Sequence, residues 1–220
     1  MAALAPRLDV LPPPQRRLWS ELSQTPPEFV LYGGTALALR LGHRTSVDFD
    51  FFGDRPLDPK HLTLAIPFLS GAKITQREPN TLSCIVDRGG PVKLSFFGVP
   101  NLPRLRAPDI ASDNGLPIAS LLDLAGTKAL VVQMRAEAKD YLDIDALLTE
   151  GGIDLGLALA SARALYGEPF NPQITLKALT YFEEPGLSSL PQALKNRLVR
   201  AVAAVDLDRL PLSPLPNPEL

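Results

Sequence analysis

Residues 28–52 read EFVLYGGTALALRLGHRTSVDFDFF, and this stretch constrains the fold more tightly than any other part of the chain. EFVLY is short, apolar and bounded by turn residues, which predicts a strand at 28–32. Gly33-Gly34 makes a turn, a helix opens on Thr35 and runs to Leu41, and Gly42 stops it. Residues 46–52, SVDFDFF, alternate as a strand does. Asp48 and Asp50 fall on one face, with Val47, Phe49 and Phe51 on the other.

Each feature has two readings. Two glycines between a strand and a helix serve as a plain turn. They also let a phosphate approach the backbone, where the N–H groups at the helix start and the Thr35 hydroxyl would donate to it. Same-face carboxylates two residues apart on a strand have Cα atoms about 6.5–7 Å apart and repel when ionised. They belong either to a polar face in water or to a site where a hard cation such as Mg²⁺ neutralises them. Side by side, the turn and the carboxylates make a phosphate cradle next to a metal pair, suited to metal-assisted transfer at phosphorus.

The rest of the chain sets the frame. Prolines number 23 and punctuate it: Pro12-Pro13-Pro14 precedes a helix with Leu18 and Leu22 at i, i+4 spacing, and Pro26-Pro27 ends that helix. A helical stretch within 56–69 is stopped or kinked by Pro67. Strands follow at 72–78, 81–87 and 91–97, the last two joined by the turn Asp87-Arg88-Gly89-Gly90. From about Ser120 the pattern is helical, with one long or two short helices over 119–148 and others at 153–166, 172–181 and 191–206. The expectation is an α+β fold: an α/β core over 1–115, a helical region over 116–210 and an extended tail over 211–220.

Composition narrows the function. A net charge of −2 gives no global basic field for nucleic acid, and Cys84 is the single cysteine, so no internal disulfide or cysteine-based zinc site is available. No apolar run approaches the roughly 18–20 residues that span a bilayer, and the N-terminus lacks a secretory pattern. The expected location is the cytoplasm.

GGTALALRLGHRTSVDFDFF resembles the AbiEii/AbiGii-type toxin family of minimal nucleotidyltransferases, including Arg44 and Ser46 before the aspartates and Phe51-Phe52 after them. A second segment, residues 121–148, resembles the family's helical segment with a lysine, a downstream arginine and a basic–Asp step followed by another Asp. The resemblance implies a mixed sheet with flanking helices and transfer of a nucleoside monophosphate from an NTP, with Mg²⁺. It implies tRNA 3′ ends as the acceptor, and a toxin–antitoxin or phage-defence role with a cognate antitoxin protein. Asp48 and Asp50 would hold metal; Gly33, Gly34 and Thr35 would grip the NTP phosphates; Arg44, Ser46 and Lys128 would contact triphosphate or acceptor. A degenerate relative that binds nucleotide, RNA or a partner without chemistry is the alternative, as is transfer to a small-molecule hydroxyl.

Where relatives often read valine-lysine-isoleucine-aspartate, this chain reads Val92-Lys93-Leu94-Ser95, so a third carboxylate is replaced by serine, a poor Mg²⁺ ligand. In a continuous helix Lys128, Arg135 and Lys139 would fall within about 40° of one another, a basic stripe for phosphates or an RNA backbone. Asp140 and Asp143 would orient those cations or reach the metal site; a solvated face with ordinary intrahelical pairs is the alternative.

Overall fold

The computed structural model describes residues 2–212. The chain divides into two compact units. One comprises the described residues up to Leu102 together with Ala107–Ala119; the other comprises Pro103–Arg106 and the described residues from Ser120 onward.

The first unit is built on a mixed eight-stranded sheet. Its elements in chain order are β1 (Ala3–Leu4), α1 (Pro13–Trp19), β2 (Phe29–Tyr32), α2 (Gly33–Leu41), β3 (Asp48–Gly53) and α3 (Pro59–Ala65). Then come β4 (Lys73–Glu78), β5 (Thr81–Asp87), β6 (Pro91–Gly98), β7 (Asp109–Ala111) and β8 (Pro117–Ile118). The strand order is β1-β7-β8-β2-β3-β6-β5-β4. β3 runs antiparallel to β2 and parallel to β6, and β4, β5 and β6 form an antiparallel meander.

Strand alternation sorts the central strands into two faces. Phe29, Leu31, Phe49, Phe51, Leu82, Cys84, Leu94 and Phe96 are buried on one face, with Phe51 stacked on Phe96 and Phe29 edge-on to it. Trp19 reaches this face from α1: its ring lies 6.4 Å from Phe49 and its Nε1 donates to Asp113 Oδ2 at 2.8 Å. Leu18 and Leu22 are both fully buried, although α1 gives way to a 3-10 turn at Ser20–Gln24 between them. The opposite face carries Asp48, Asp50, Lys93 and Ser95. Val47 does not join the apolar face; it precedes β3 and is 49% exposed.

The second unit is helical: α4 (Leu121–Met134), α5 (Ala138–Thr149), α6 (Leu155–Tyr166), α7 (Pro172–Ala178) and α8 (Gln192–Ala203). Ser120, Asp154 and Asn171 cap α4, α6 and α7 through their side-chain oxygens. α4 and α6 approach closely at Gly126, where an added methyl would sit 2.9 Å from the Ala162 backbone nitrogen. Buried Asp123 accepts from the Leu105 and Arg106 amides and from the Ser120 hydroxyl, fastening residues 103–106 to this unit. Among the described residues, no helix is long and apolar enough to cross a membrane. Residues 211 and 212 hold no regular structure, and the rest of the expected tail, 213–220, lies outside the described residues.

Of the two alternatives for 119–148, one long helix or two short ones, the structure has two. Arg135 is extended, with φ −155° and ψ 146°, although no glycine or proline interrupts the sequence there. Side-chain chemistry compensates for the break. Lys128 Nζ lies 2.8 Å from Asp140 Oδ1 and 2.5 Å from Asp143 Oδ2, while Arg135 Nε lies 2.8 Å from Asp140 Oδ2. Both carboxylates are fully buried, so pairing offsets their desolvation. The continuous basic stripe does not form: Lys128 is buried, and Lys139 pairs with Glu137 at 2.7 Å.

Candidate active site

Three strands meet at the aspartates. Asp50 of β3 is registered opposite Tyr32 of β2 and Ser95 of β6, and Ser95 is registered opposite Ser83 of β5. One step along, Asp48 is registered opposite Lys93. The burial pattern of β3 alternates as predicted, with Asp48 and Asp50 half-buried and Phe49 and Phe51 fully buried. The two carboxylates therefore share a face, and each has a neighbour of different chemistry beside it.

Gly33 closes the site from the helix side. Its φ is +73°, in the left-handed region that disfavours side chains, and a methyl there would lie 3.0 Å from Asp50 Oδ2. The glycine turn and the carboxylate are thus in van der Waals reach, and the missing side chain is what makes the approach possible. α2 starts at Gly33, two residues ahead of the predicted opening at Thr35, so the half-buried backbone of Gly33 and Gly34 forms its first turn.

Thr35 and Ser46 do something other than face outward. Both are buried, at 2% and 6% exposure, and their hydroxyls hydrogen-bond at 2.7 Å. The Thr35 hydroxyl also donates to the Asp48 carbonyl. Ser46 N donates to Val10 O at 3.2 Å, and Gln15 Nε2 donates to Val47 O at 3.1 Å. Four contacts thus fix the chain just before and at Asp48. Arg44 lies in the same approach loop, half-buried, with Nη1 donating to Thr45 O at 3.0 Å.

Ser95 is 4% exposed and lies 3.5 Å from the Ser83 hydroxyl, which donates to it. Among the described residues, no group of three or more His, Cys, Asp or Glu side chains is arranged to hold a metal. Lys128 lies in the helical unit, in the carboxylate network described above. There, burial pushes the Asp140 carboxyl up, but hydrogen bonds from Arg135 and the charge of Lys128 outweigh it and hold the group below the usual carboxylate range.

The family model for the nucleotidyl transferase AbiEii toxin, type IV toxin–antitoxin system, matches residues 17–211. The chain belongs to this family. It is accordingly a nucleotidyltransferase, with the mixed sheet and flanking helices of that fold. An uncharacterized Aquifex aeolicus (strain VF5) protein, aq_aa25, is 35% identical over 159 residues, covering 71% of this chain and 75% of its own length. Two solved structures share the fold. MenT4, a nucleotidyltransferase toxin from Mycobacterium tuberculosis H37Rv, superposes with a TM-score of 0.60 at 17% identity, covering 87% of this chain and 82% of its own. A candidate nucleotidyltransferase from H. pylori gives a TM-score of 0.52 at 19% identity, covering 86% and 89%.

Within this AbiEii-family chain the structure joins Gly33 to Asp50, and Thr35 to Ser46 and Asp48. It joins Lys128 to Asp140 and Asp143. The sequence reading missed Lys93, Tyr32 and Ser83 as neighbours of the aspartates. The alternation of PVKLSFF places Lys93 on the same face as Ser95, but only the parallel register of β6 on β3 sets it beside Asp48.

Proposed function

We propose that this nucleotidyltransferase moves a nucleoside monophosphate from an NTP to the 3′ end of tRNA in the cytoplasm, as the toxin of a toxin–antitoxin or phage-defence pair with a cognate antitoxin. The observation that carries the site is the contact of the Gly33 turn with Asp50, on a face shared with Asp48. The acceptor hydroxyl oxygen attacks the α-phosphorus, the bond to the β-phosphate breaks and pyrophosphate leaves, while the hydroxyl proton passes to water.

The residues fit Mg²⁺. That ion keeps several waters and takes one or two carboxylates together with substrate phosphates, which matches Asp48 and Asp50 as its protein ligands. When bound, it supplies charge neutralisation at the phosphates. The backbone N–H groups of Gly33 and Gly34 receive the triphosphate, with Arg44 adding positive charge at the rim. Thr35 and Ser46 serve by holding β3 in place. Lys128 is assigned a part in transfer from the family resemblance, with Asp140 and Asp143 keeping its ammonium fixed.

The test is incubation with labelled NTPs, Mg²⁺ and total tRNA. Label should move to tRNA, and Asp48→Ala with Asp50→Ala should abolish the transfer. Absence of transfer to any nucleic acid, protein or small hydroxyl acceptor would refute the assignment.

A further inference from the structure

Around the two aspartates, the strand register sets hydroxyl-bearing neighbours and one cation. Asp50 has Tyr32 on one side, Ser95 on the other and Gly33 above it; beyond Ser95 comes Ser83, another hydroxyl. Asp48 has Lys93 beside it. Adjacent strands lie about 4.8 Å apart, so Ser95 and Lys93 occupy the positions from which a further carboxylate would reach a second ion. Neither residue can do so: a serine hydroxyl is neutral, and an ammonium repels cations. Two divalent ions at about 3.5–4 Å bring four positive charges together. Among the described residues no third His, Cys, Asp or Glu joins the two aspartates to hold a metal, and the Lys93 charge is set beside them.

We infer that this site holds a single divalent cation, shared by Asp48, Asp50 and the substrate phosphates, and that Lys93 occupies the electrostatic place of a second ion. Ser95 and Lys93 are then determinants of metal stoichiometry. Lys93 acts on the phosphates directly, and Ser95 acts by withholding a ligand. This rests on the assignment of Asp48 and Asp50 as the metal ligands, and it adds the number of ions and the residues that set it.

The experiment is a count of bound Mn²⁺ by electron paramagnetic resonance and calorimetry, with and without a non-hydrolysable NTP analogue. The wild-type chain should bind one ion in the analogue complex. Ser95→Asp should bind two, and should melt several degrees below wild type in EDTA, recovering when Mn²⁺ is added. Lys93 is exposed, so Lys93→Gln keeps the fold; it should bind Mn²⁺ a few-fold tighter without nucleotide and the analogue a few-fold more weakly. Two ions in the wild-type complex would overturn the inference while leaving the metal assignment standing. No bound ion, with Asp50→Asn indistinguishable from wild type, would overturn both. The wild-type count decides the matter even if Ser95→Asp fails to fold.

Discussion

Gly33→Ala separates a glycine that only turns the chain from one that also shapes the site. The substitution meets two obstacles. An L-residue at φ +73° carries a backbone penalty of about 1–2 kcal/mol. The new methyl also meets Asp50 Oδ2 at 3.0 Å, so the carboxylate must yield by a few tenths of an ångström. The expected stability loss is roughly 1–3 kcal/mol, a fall in Tm of about 2–12 °C for a chain of this length. Gly42→Ala is the matched control. Its φ is +71°, and its methyl would clash with the exposed Arg7 guanidinium, so it carries the backbone penalty and the displacement of a surface side chain from Leu41 O, away from the aspartates. Both variants are compared by urea unfolding, Mn²⁺ affinity and single-turnover transfer of labelled nucleotide. Gly33→Ala should lose about tenfold to a hundredfold in transfer rate, because small misplacements of a reacting group are costly, and should bind Mn²⁺ more weakly. Gly42→Ala should keep both. If the two variants lose the same stability and both transfer at the wild-type rate, the contact with Asp50 has no part in the chemistry and Gly33 is only a turn.

Other outcomes follow from the helical unit. Lys128→Met leaves Asp140 and Asp143 buried with less positive charge, which should cost about 3–5 kcal/mol, read as faster hydrogen exchange in α4 and α5; unchanged exchange would contradict the network. Gly126→Leu should force α4 and α6 apart at a cost of roughly 1–3 kcal/mol or more, seen as a lower urea midpoint. Carboxyl titration by NMR should find two groups moving in opposite directions. Burial holds Asp123 above the usual range, against the hydrogen bonds it accepts, so its contribution to stability is lost as pH rises through that raised value. Asp140 sits below the usual range, so its contribution is present above the ordinary carboxylate pKa and lost as pH falls through the lowered one.

How far the sequence could be read depended on the length and locality of the signals. β5 is found at 81–87 as expected, and β2, β3, β4 and β6 within one or two residues, because each is a run of strand length bounded by turn residues, with clear alternation in β3 and β6. β1, β7 and β8 have two or three residues each and were invisible, since so short a run has no period and their pairing with distant segments is set by the fold. β8 even begins at Pro117, which reads as a breaker. Two helices over 119–148 were one of the two expected alternatives, but the place of the break, Arg135, was hidden. Propensity through 134–138 favours a helix, yet Arg135 is extended and pairs with buried Asp140. The face carrying Asp48 and Asp50 was legible from alternation alone; that Ser95 and Lys93 lie beside them required the register.

The signature residues divide into those able to touch substrate and those that place them, and Thr35 tests the division. A phosphate-gripping hydroxyl would be available to solvent, yet this one is 2% exposed and engaged with Ser46 and the Asp48 carbonyl. Thr35→Val keeps the shape and removes the hydroxyl, leaving the Ser46 hydroxyl and Asp48 carbonyl without it, at a cost of about 1–3 kcal/mol. Thr35→Ser keeps the hydroxyl and should behave as wild type in transfer. If Thr35 places β3, Thr35→Val lowers stability, and both Mn²⁺ affinity and kcat fall with it, because Asp48 has shifted. If Thr35 instead grips phosphate, stability and Mn²⁺ affinity stay unchanged while KM for the NTP rises. The structure predicts the first pattern, and the second would refute it: the threonine of the Gly-Gly-Thr turn acts on substrate only through the aspartate strand it holds.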